Sequence, residues 1–408
     1  MRVLIVSQYY APEPIPKPSD LAVALRARGH DVTVLTGLPQ YGRGRLYPGY
    51  RLRPWLRERR DGIDVLRVFI LPYHGRSVLR RGLTFLSVTL SAMLAAPFLR
   101  KADVIYAWHP PITVGLMAAA ASAATGAPIV YDVQDIWPDA IVEAGLLRHG
   151  WLVRVLECVE RFIYGRARHL LVTSEAARQT LVRKGVPASK VSAMLHWVSD
   201  ALTAQASDEA RADTRATHGW GDAFVAMFAG NFGVAAGLDT IVRAAPLLRD
   251  PRVRLVFVGQ GTDDARLKQL TADLQMADRV TFLPAVPAEQ MPPLLAAADA
   301  LLVHLGMSAA SETVVPTKTI AYLAAGRPIV MAARGVAADL ITSSGSGVAL
   351  EPDRPADLAA VLDSLASRPP DERARMGERG RAYFEAHHAS GPIISSYEAA
   401  LVAAAAQR

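Results

Sequence analysis

The sequence predicts an α/β protein built from two parallel, doubly wound sheets, and three observations carry that expectation. Short apolar runs of strand length alternate with segments of helical apolar spacing that end in glycine. The alternation breaks once, at the polar, alanine-rich and strand-free stretch 200–221, and restarts at Phe224. At 408 residues the chain is also too long for one core of ordinary size.

In the first half, strands are expected at 3–7, 31–36, 65–70, 104–107, 129–131, 170–173 and 191–195, with helices at 19–28, 112–125 and 175–184 between them. The segment 82–99 is apolar, bracketed by Arg80, Arg81, Arg100 and Lys101, and barely long enough to span a bilayer. Its place between two strands makes it a domain helix, buried or partly lipid-facing, with interfacial character. In the second half, strands at 225–229, 254–258, 280–283, 300–304 and 329–332 alternate with helices at 237–248, 263–274 and 287–297. Two Rossmann-like halves follow, 1–200 and 201–389, with a terminal helix over 390–408 returning to the first.

One stretch organises the second half: Glu312-Thr-Val-Val-Pro-Thr-Lys-Thr-Ile-Ala-Tyr-Leu-Ala-Ala-Gly-Arg-Pro-Ile-Val330. It reads as a polar loop, a short helix, a glycine stop at Gly326 and a buried strand, with Pro316 suited to the first helical position. So short a helix has little stability of its own. It serves best to aim its free N–H groups, together with Lys318, at an anion. An ordinary strand-to-helix connection is the plainer alternative.

Composition narrows the partners. A 51% apolar, 20% charged chain is globular and not disordered. The single cysteine, Cys158, rules out an intramolecular disulfide and a cysteine-based zinc site, and points to a reducing compartment. Residues 1–200 hold 26 Lys+Arg against 15 Asp+Glu; of the whole-chain totals of 45 and 38, that leaves 19 against 23. The basic first half fits an anionic acceptor or membrane face. Its arginines are scattered without a recognition motif, so no nucleic-acid partner is expected. Met1-Arg-Val-Leu-Ile-Val-Ser7 reads as a first strand and not as a signal peptide.

Ligands of such sheets sit beyond the carboxyl ends of the strands. Gly259-Gln-Gly261 there allows close backbone approach to a nucleotide, or simply a turn; it lacks the third glycine and downstream acid of a dinucleotide fingerprint. Gly230-Asn-Phe-Gly233 leads into a helix that could seat a phosphate. His109, held before two prolines, could donate a hydrogen bond to a sugar hydroxyl, or merely cap its loop. Asp132, Asp135 and Asp139 flank Trp137-Pro138, a pairing of carboxylate and indole common in carbohydrate sites, although Asp139 is better read as a helix N-cap. There is no Asp-x-Asp loop, and His387-His388 lacks companion ligands, so no metal is expected.

Taken together, Tyr9-Tyr-Ala-Pro-Glu13, Arg28-Gly-His-Asp-Val-Thr-Val-Leu-Thr-Gly37, Tyr47-Pro-Gly-Tyr50, Asp132-Val-Gln-Asp-Ile-Trp-Pro138, Ala229-Gly-Asn-Phe-Gly233, Gly259-Gln-Gly261 and 312–330 resemble the GT-B glycosyltransferases of family 4, most closely the bacterial capsule, O-antigen and exopolysaccharide branch. The resemblance implies two Rossmann-like domains facing across a cleft, with the C-terminal helix crossing back to the first. It implies transfer of a sugar, with retention and without metal or other cofactor, from a nucleotide diphosphate donor such as a UDP-sugar to a lipid-linked saccharide. The enzyme would be cytoplasmic and peripheral at the inner face of the membrane. His109, Asp135 and Glu312 would be the catalytic residues; Gly230, Asn231, Gly233, Gly259, Gly261, Thr313 and Lys318 would bind the donor. In the family's pair of glutamates the first falls on Thr313, beside Glu312, and the second on Ala321; the N-terminal glycine pair is replaced by Pro-Ile-Pro-Lys-Pro at 14–18. A UDP-sugar epimerase and a non-catalytic scaffold on the same fold are the rival expectations.

Overall fold

The computed structural model describes residues 1–407 except 76, 144–146, 148, 149, 196, 234, 235, 308 and 313. The chain divides into two compact units, Met1–Leu195 with Gly391–Arg408, and His196–Ser390.

In the first unit, β1 (Arg2–Ser7), β2 (Asp31–Gly37), β3 (Trp55–Arg60), β4 (Ile63–Val68), β5 (Val104–Trp108), β6 (Ile129–Val133), β7 (His169–Val172) and β8 (Val191–Ala193) form one sheet in the order β3-β4-β2-β1-β5-β6-β7-β8. Every residue of β5 and β6 is buried, which explains their unbroken apolar runs: a parallel strand covered on both faces has no solvent side to alternate with. The exception is β3, Trp-Leu-Arg-Glu-Arg-Arg, an antiparallel edge strand whose charges conceal it in the sequence. Helix Val78–Ala95 lies where a crossover helix belongs, but it buries only Thr84, Val88, Thr89 and Ala92. Leu79, Leu86, Leu90 and Leu94 face out, so the helix is not the buried one that was one of the two expectations.

Helix Ser390–Ala406 carries the chain into the first unit, burying Ile393, Ile394, Tyr397, Leu401 and Ala404 at helical spacing. Glu398 receives Arg28 and His30, each at 2.6 Å. The Tyr397 hydroxyl takes a hydrogen bond from Lys17 at 3.0 Å. Deeper lies Asp132, which accepts from Tyr106 and Gln134 at 2.5 Å each and pairs with Lys17 at 3.4 Å. This buried network ties four elements of the unit together, and it removes Asp132 from any role as an open sugar-binding carboxylate.

The second unit holds β9 (Phe224–Asn231), β10 (Val253–Gln260), β11 (Val280–Leu283), β12 (Ala300–His304), β13 (Ile329–Ala332) and β14 (Gly347–Leu350), all parallel, ordered β11-β10-β9-β12-β13-β14. One apolar cluster packs on each face. The polar, strand-free stretch 200–221 is helical at Asp200–Thr203 and Asp208–Thr217 and belongs to this unit. Arg215 fastens it to this unit through the carbonyls of Ala297, Gly221 and Ala223 and the Asp299 carboxylate.

In both sheets the first strand of the unit sits between strands reached by crossovers of opposite direction: β1 between β2 and β5, β9 between β10 and β12. Loops leave such a switch point on opposite sides, so the carboxyl ends gape and leave room for a ligand.

Candidate functional site

At the switch point of the second unit, β9 and β12 pair only at Ala226 and Met227, and beyond Met227 they splay. The amide and carbonyl of Ala229 would be left without a strand partner on that side. Tyr322 supplies one: its hydroxyl accepts from the Ala229 N–H at 2.7 Å and donates to the Ala229 carbonyl at 3.0 Å. That clasp fixes helix Thr317–Ala325 against the exit of β9. The helix starts one residue later than expected, because Pro316 is the N-cap, with ψ 139°; Gly326 takes the left-handed stop at φ 65°.

Lys318 is the second residue of this helix. Its ammonium lies 3.7 Å from the centre of the Phe228 ring, and a Cβ on Gly230 would come within 2.9 Å of it. Among the described residues no acceptor takes its hydrogens, and burial pulls its pKa down to about 7. An ammonium on an aromatic face at the first turn of a helix, where the Thr319 amide already donates to the Pro316 carbonyl at 2.9 Å, is an arrangement that can take an anion.

The glycines around it serve the backbone. Gly259 pairs with Gly230 across β10 and β9, and a Cβ there would stand 1.9 Å from the Gly230 carbonyl oxygen. A Cβ on Gly261 would stand 2.2 Å from the Phe232 carbonyl oxygen. Gly-x-Gly therefore lets two strand exits close on each other, the turn reading, and thereby shapes the 230–233 loop. Asn231 is exposed at the end of β9, with its amide nitrogen 3.1 Å from where a Gly233 Cβ would be. Glu312 is exposed at the end of the short helix Ala309–Glu312, and its carboxylate has no partner among the described residues. Thr313 lies outside the described residues. Ala321 is 7% exposed within an apolar cluster.

Sequence reasoning assigned no task to three residues here, although His304 stands at a strand exit. Phe228 and Tyr322 look like core aromatics, and only the pairing of β9 with its neighbours reveals their tasks. His304 uses Nδ1 on the Ala236 carbonyl at 2.9 Å and accepts the Asp353 amide on Nε2 at 3.1 Å, an arrangement that requires a neutral ring. It braces the loops around the site.

In the first unit His109 follows β5 at the β1/β5 switch point, its amide bonded to the Asp132 carbonyl at 3.0 Å. The ring is 1% exposed, set edge-on to Trp137 at 5.5 Å and to Tyr131 at 6.2 Å. Neither ring nitrogen has a partner among the described residues. Burial alone lowers its pKa to about 3, so the ring is neutral near pH 7. Two unsatisfied nitrogens cost roughly 1–3 kcal/mol each, an arrangement a structural histidine avoids and a ligand-binding one offsets when occupied.

Asp135 is exposed, its carbonyl accepting the Trp137 amide at 3.1 Å, and reduced hydration raises its carboxyl pKa. Asp139 begins a helix and shares Lys184 with Glu160, at 2.9 Å each. At the same edge Gln8, the first residue after β1, keeps both side-chain amide atoms buried and without a partner among the described residues. Glu13, the last residue of Tyr-Tyr-Ala-Pro-Glu, holds the neighbouring loop by accepting the amides of Gln40 (2.9 Å), Tyr41 (2.7 Å) and Tyr10 (3.1 Å). Among the described residues no group of three or more His, Cys, Asp or Glu is placed to hold a metal.

Comparison with known proteins gives consistent matches. Residues 210–383 match the family Glycosyl transferases group 1, and residues 18–195 match the family Glycosyl transferase 4-like domain. The chain is 26% identical over 352 residues, 82% of its length and 83% of the relative's, to WcaI of Escherichia coli K12, a glycosyl transferase named for colanic acid biosynthesis. Over 179 residues, 42% of this chain and 46% of the relative, it is 32% identical to the GDP-mannose-dependent α-(1-6)-phosphatidylinositol monomannoside mannosyltransferase of Mycolicibacterium smegmatis. Among solved structures, Anabaena HepE in complex with UDP-glucose superposes with a TM-score of 0.73 at 19% identity, covering 99% of this chain and all of that one, which is a likeness of fold.

Proposed function

Because the chain belongs to the glycosyltransferases of the GT-B fold, with a family 4-like domain in its first unit and a group 1 domain in its second, we propose that it transfers a sugar from a nucleotide diphosphate donor to a lipid-linked saccharide during polysaccharide synthesis. The observation that carries the reading is the ammonium of Lys318 at the start of helix Thr317–Ala325, over Phe228 and against Gly230, with no acceptor among the described residues. Charge builds on the diphosphate as the glycosidic bond breaks. A fixed ammonium and the first helix amides stabilise that charge more in the transition state than in the ground state. They can do so without a metal ion, and retention at the anomeric carbon follows the family likeness. His109, kept neutral, donates one N–H to a hydroxyl of the donor sugar and thereby satisfies a buried nitrogen. Glu312 contacts the sugar or the helix entry, and Asp135 the acceptor hydroxyls.

UDP is the favoured nucleotide, since the HepE fold neighbour is seen with UDP-glucose; the mannosyltransferase relative makes GDP the competitor. The acceptor would be met at the inner face of the membrane, a placement supported by the basic first half and the outward leucines of helix Val78–Ala95. Isothermal titration with UDP and GDP, in EDTA and in magnesium, is the test. UDP should bind in EDTA at micromolar to sub-millimolar concentration, and Lys318→Met should weaken it. Absence of binding by any nucleotide at millimolar concentration would defeat the proposal, and binding that requires magnesium would defeat its metal-independent form.

A further inference from the structure

We infer that the first unit carries a groove for the hydrocarbon chain of the lipid-linked acceptor, between the β3–β4 ribbon and the C-terminal half of helix Val78–Ala95; the inference rests on the glycosyl-transfer reading above. The cavity has a volume of about 680 Å³ and is walled by Leu52, Trp55, Phe69, Leu94, Ala95 and Phe98. Trp55 is 65% exposed, Phe98 71% and Leu94 77%. Among the described residues, eleven of the large apolar side chains left in water fall between Leu52 and Phe98, a concentration that a protein with no apolar partner does not maintain.

Charge identifies the occupant. The remaining lining includes Arg53 and Arg57. Among the described residues neither Arg53 nor Arg57 has an acidic partner, and Arg57 donates to the Phe98 carbonyl at 3.2 Å. A ligand that fits is an apolar chain ending in an anion, the chemistry of a lipid phosphate. A second copy of this chain would bring like arginines together.

Position ties the groove to the acceptor. Trp55 pairs with Val68, Val68 pairs with Gly37 and takes the Leu38 amide at 3.0 Å, and the Gly37 amide bonds the Gln8 carbonyl at 3.3 Å. The Leu52–Phe69 end of the groove therefore opens at the sheet edge that also bears Gln8 and His109. A chain seated there leaves its phosphate beside Arg53 and its saccharide along that edge.

Farnesyl phosphate, below its aggregation concentration, is a usable probe for isothermal titration on the full chain. One molecule should bind per chain, with farnesol and inorganic phosphate each at least 10-fold weaker. Ser91→Trp, which fills the groove from the helix side, and Leu94→Glu, at a surface position that does not threaten folding, should each weaken binding at least 10-fold and leave UDP binding unchanged. Equal affinity in both variants would overturn the assignment. So would binding only to phosphatidylglycerol vesicles, which would make the face a membrane patch, or a dimer that the probe disperses, which would make it a self-association surface. UDP binding without farnesyl phosphate binding sinks the groove alone. Farnesyl phosphate binding without nucleotide binding overturns its assignment to an acceptor, together with the transferase reading.

Discussion

Burial lowers the pKa of both Lys318 and His109, and among the described residues neither side chain has a hydrogen-bond partner, but only Lys318 keeps part of its charge near neutrality. Lys318, at about 7, is half-charged near neutrality, whereas its unfolded counterpart titrates near 10.5. Between those values the unfolded chain holds the extra proton, so this group's contribution to stability rises with pH across the window and is least favourable at pH 7 and below. Lys318→Met should therefore raise the melting temperature at pH 6 while lowering turnover about 10²–10³-fold; a fall in melting temperature would show that the ammonium is structurally satisfied. A diphosphate favours the charged form, so nucleotide binding at pH 8 should take up protons. Titrations in buffers of different ionisation enthalpy measure that uptake, and a value of zero would mean that the lysine is not at the phosphates. His109 behaves differently, because a pKa of about 3 keeps its ring neutral through the working range. Its NMR signals should not titrate above pH 5, and the pH profile of kcat should lack a limb belonging to it. An inflection near 6.5 that vanishes in His109→Asn would contradict this.

Among the elements, β9 and helix Thr317–Ala325 depend on each other through one phenol. Tyr322→Phe removes the partner of both the amide and the carbonyl of Ala229. It should cost about 1–3 kcal/mol in denaturant unfolding and weaken nucleotide binding as well; a loss of stability with unchanged binding would confine the clasp to folding. The apolar strands and the helix with its Gly326 stop were readable from the sequence, because burial on both faces and a left-handed C-terminus each leave a residue signature. The edge strand β3 was not, because Arg57, Glu58, Arg59 and Arg60 read as a solvated run when only one side of a strand is paired. The 200–221 stretch read only as a break in the alternation for a similar reason: what binds it is the reach of Arg215 to carbonyls as distant as Ala297, and local pattern does not record such contacts. At the site, Lys318 and His109 stood out by type and position. The clasp of Tyr322 depends on register, which a linear reading does not contain, and the burial of the Gln8 amide depends on packing beyond its place at a strand exit.

At the scale of the molecule, charge and apolar exposure fall on the same half. Residues 1–200 carry 26 Lys+Arg against 15 Asp+Glu, and helix Val78–Ala95 turns Leu79 and Leu94 outward at 75% and 77% exposure. Sedimentation with vesicles should show binding that needs anionic lipid and weakens between 0.05 and roughly 0.5 M salt. Leu79→Asp should reduce it severalfold without affecting UDP affinity; equal binding to neutral vesicles would remove the electrostatic part of the membrane proposal. The two-unit architecture was expected from the restart of strand and helix alternation at Phe224, but the anchoring of the terminal helix through Tyr397 and Glu398 was not.

That anchoring makes the first unit discontinuous. The second unit is one uninterrupted segment, whereas the first takes its last wall from a helix that lies beyond the second in sequence, where Tyr397 covers Lys17 and Asp132. A chain cut before Ser390 would keep every strand of the first sheet and still leave its buried ion pair with one side open.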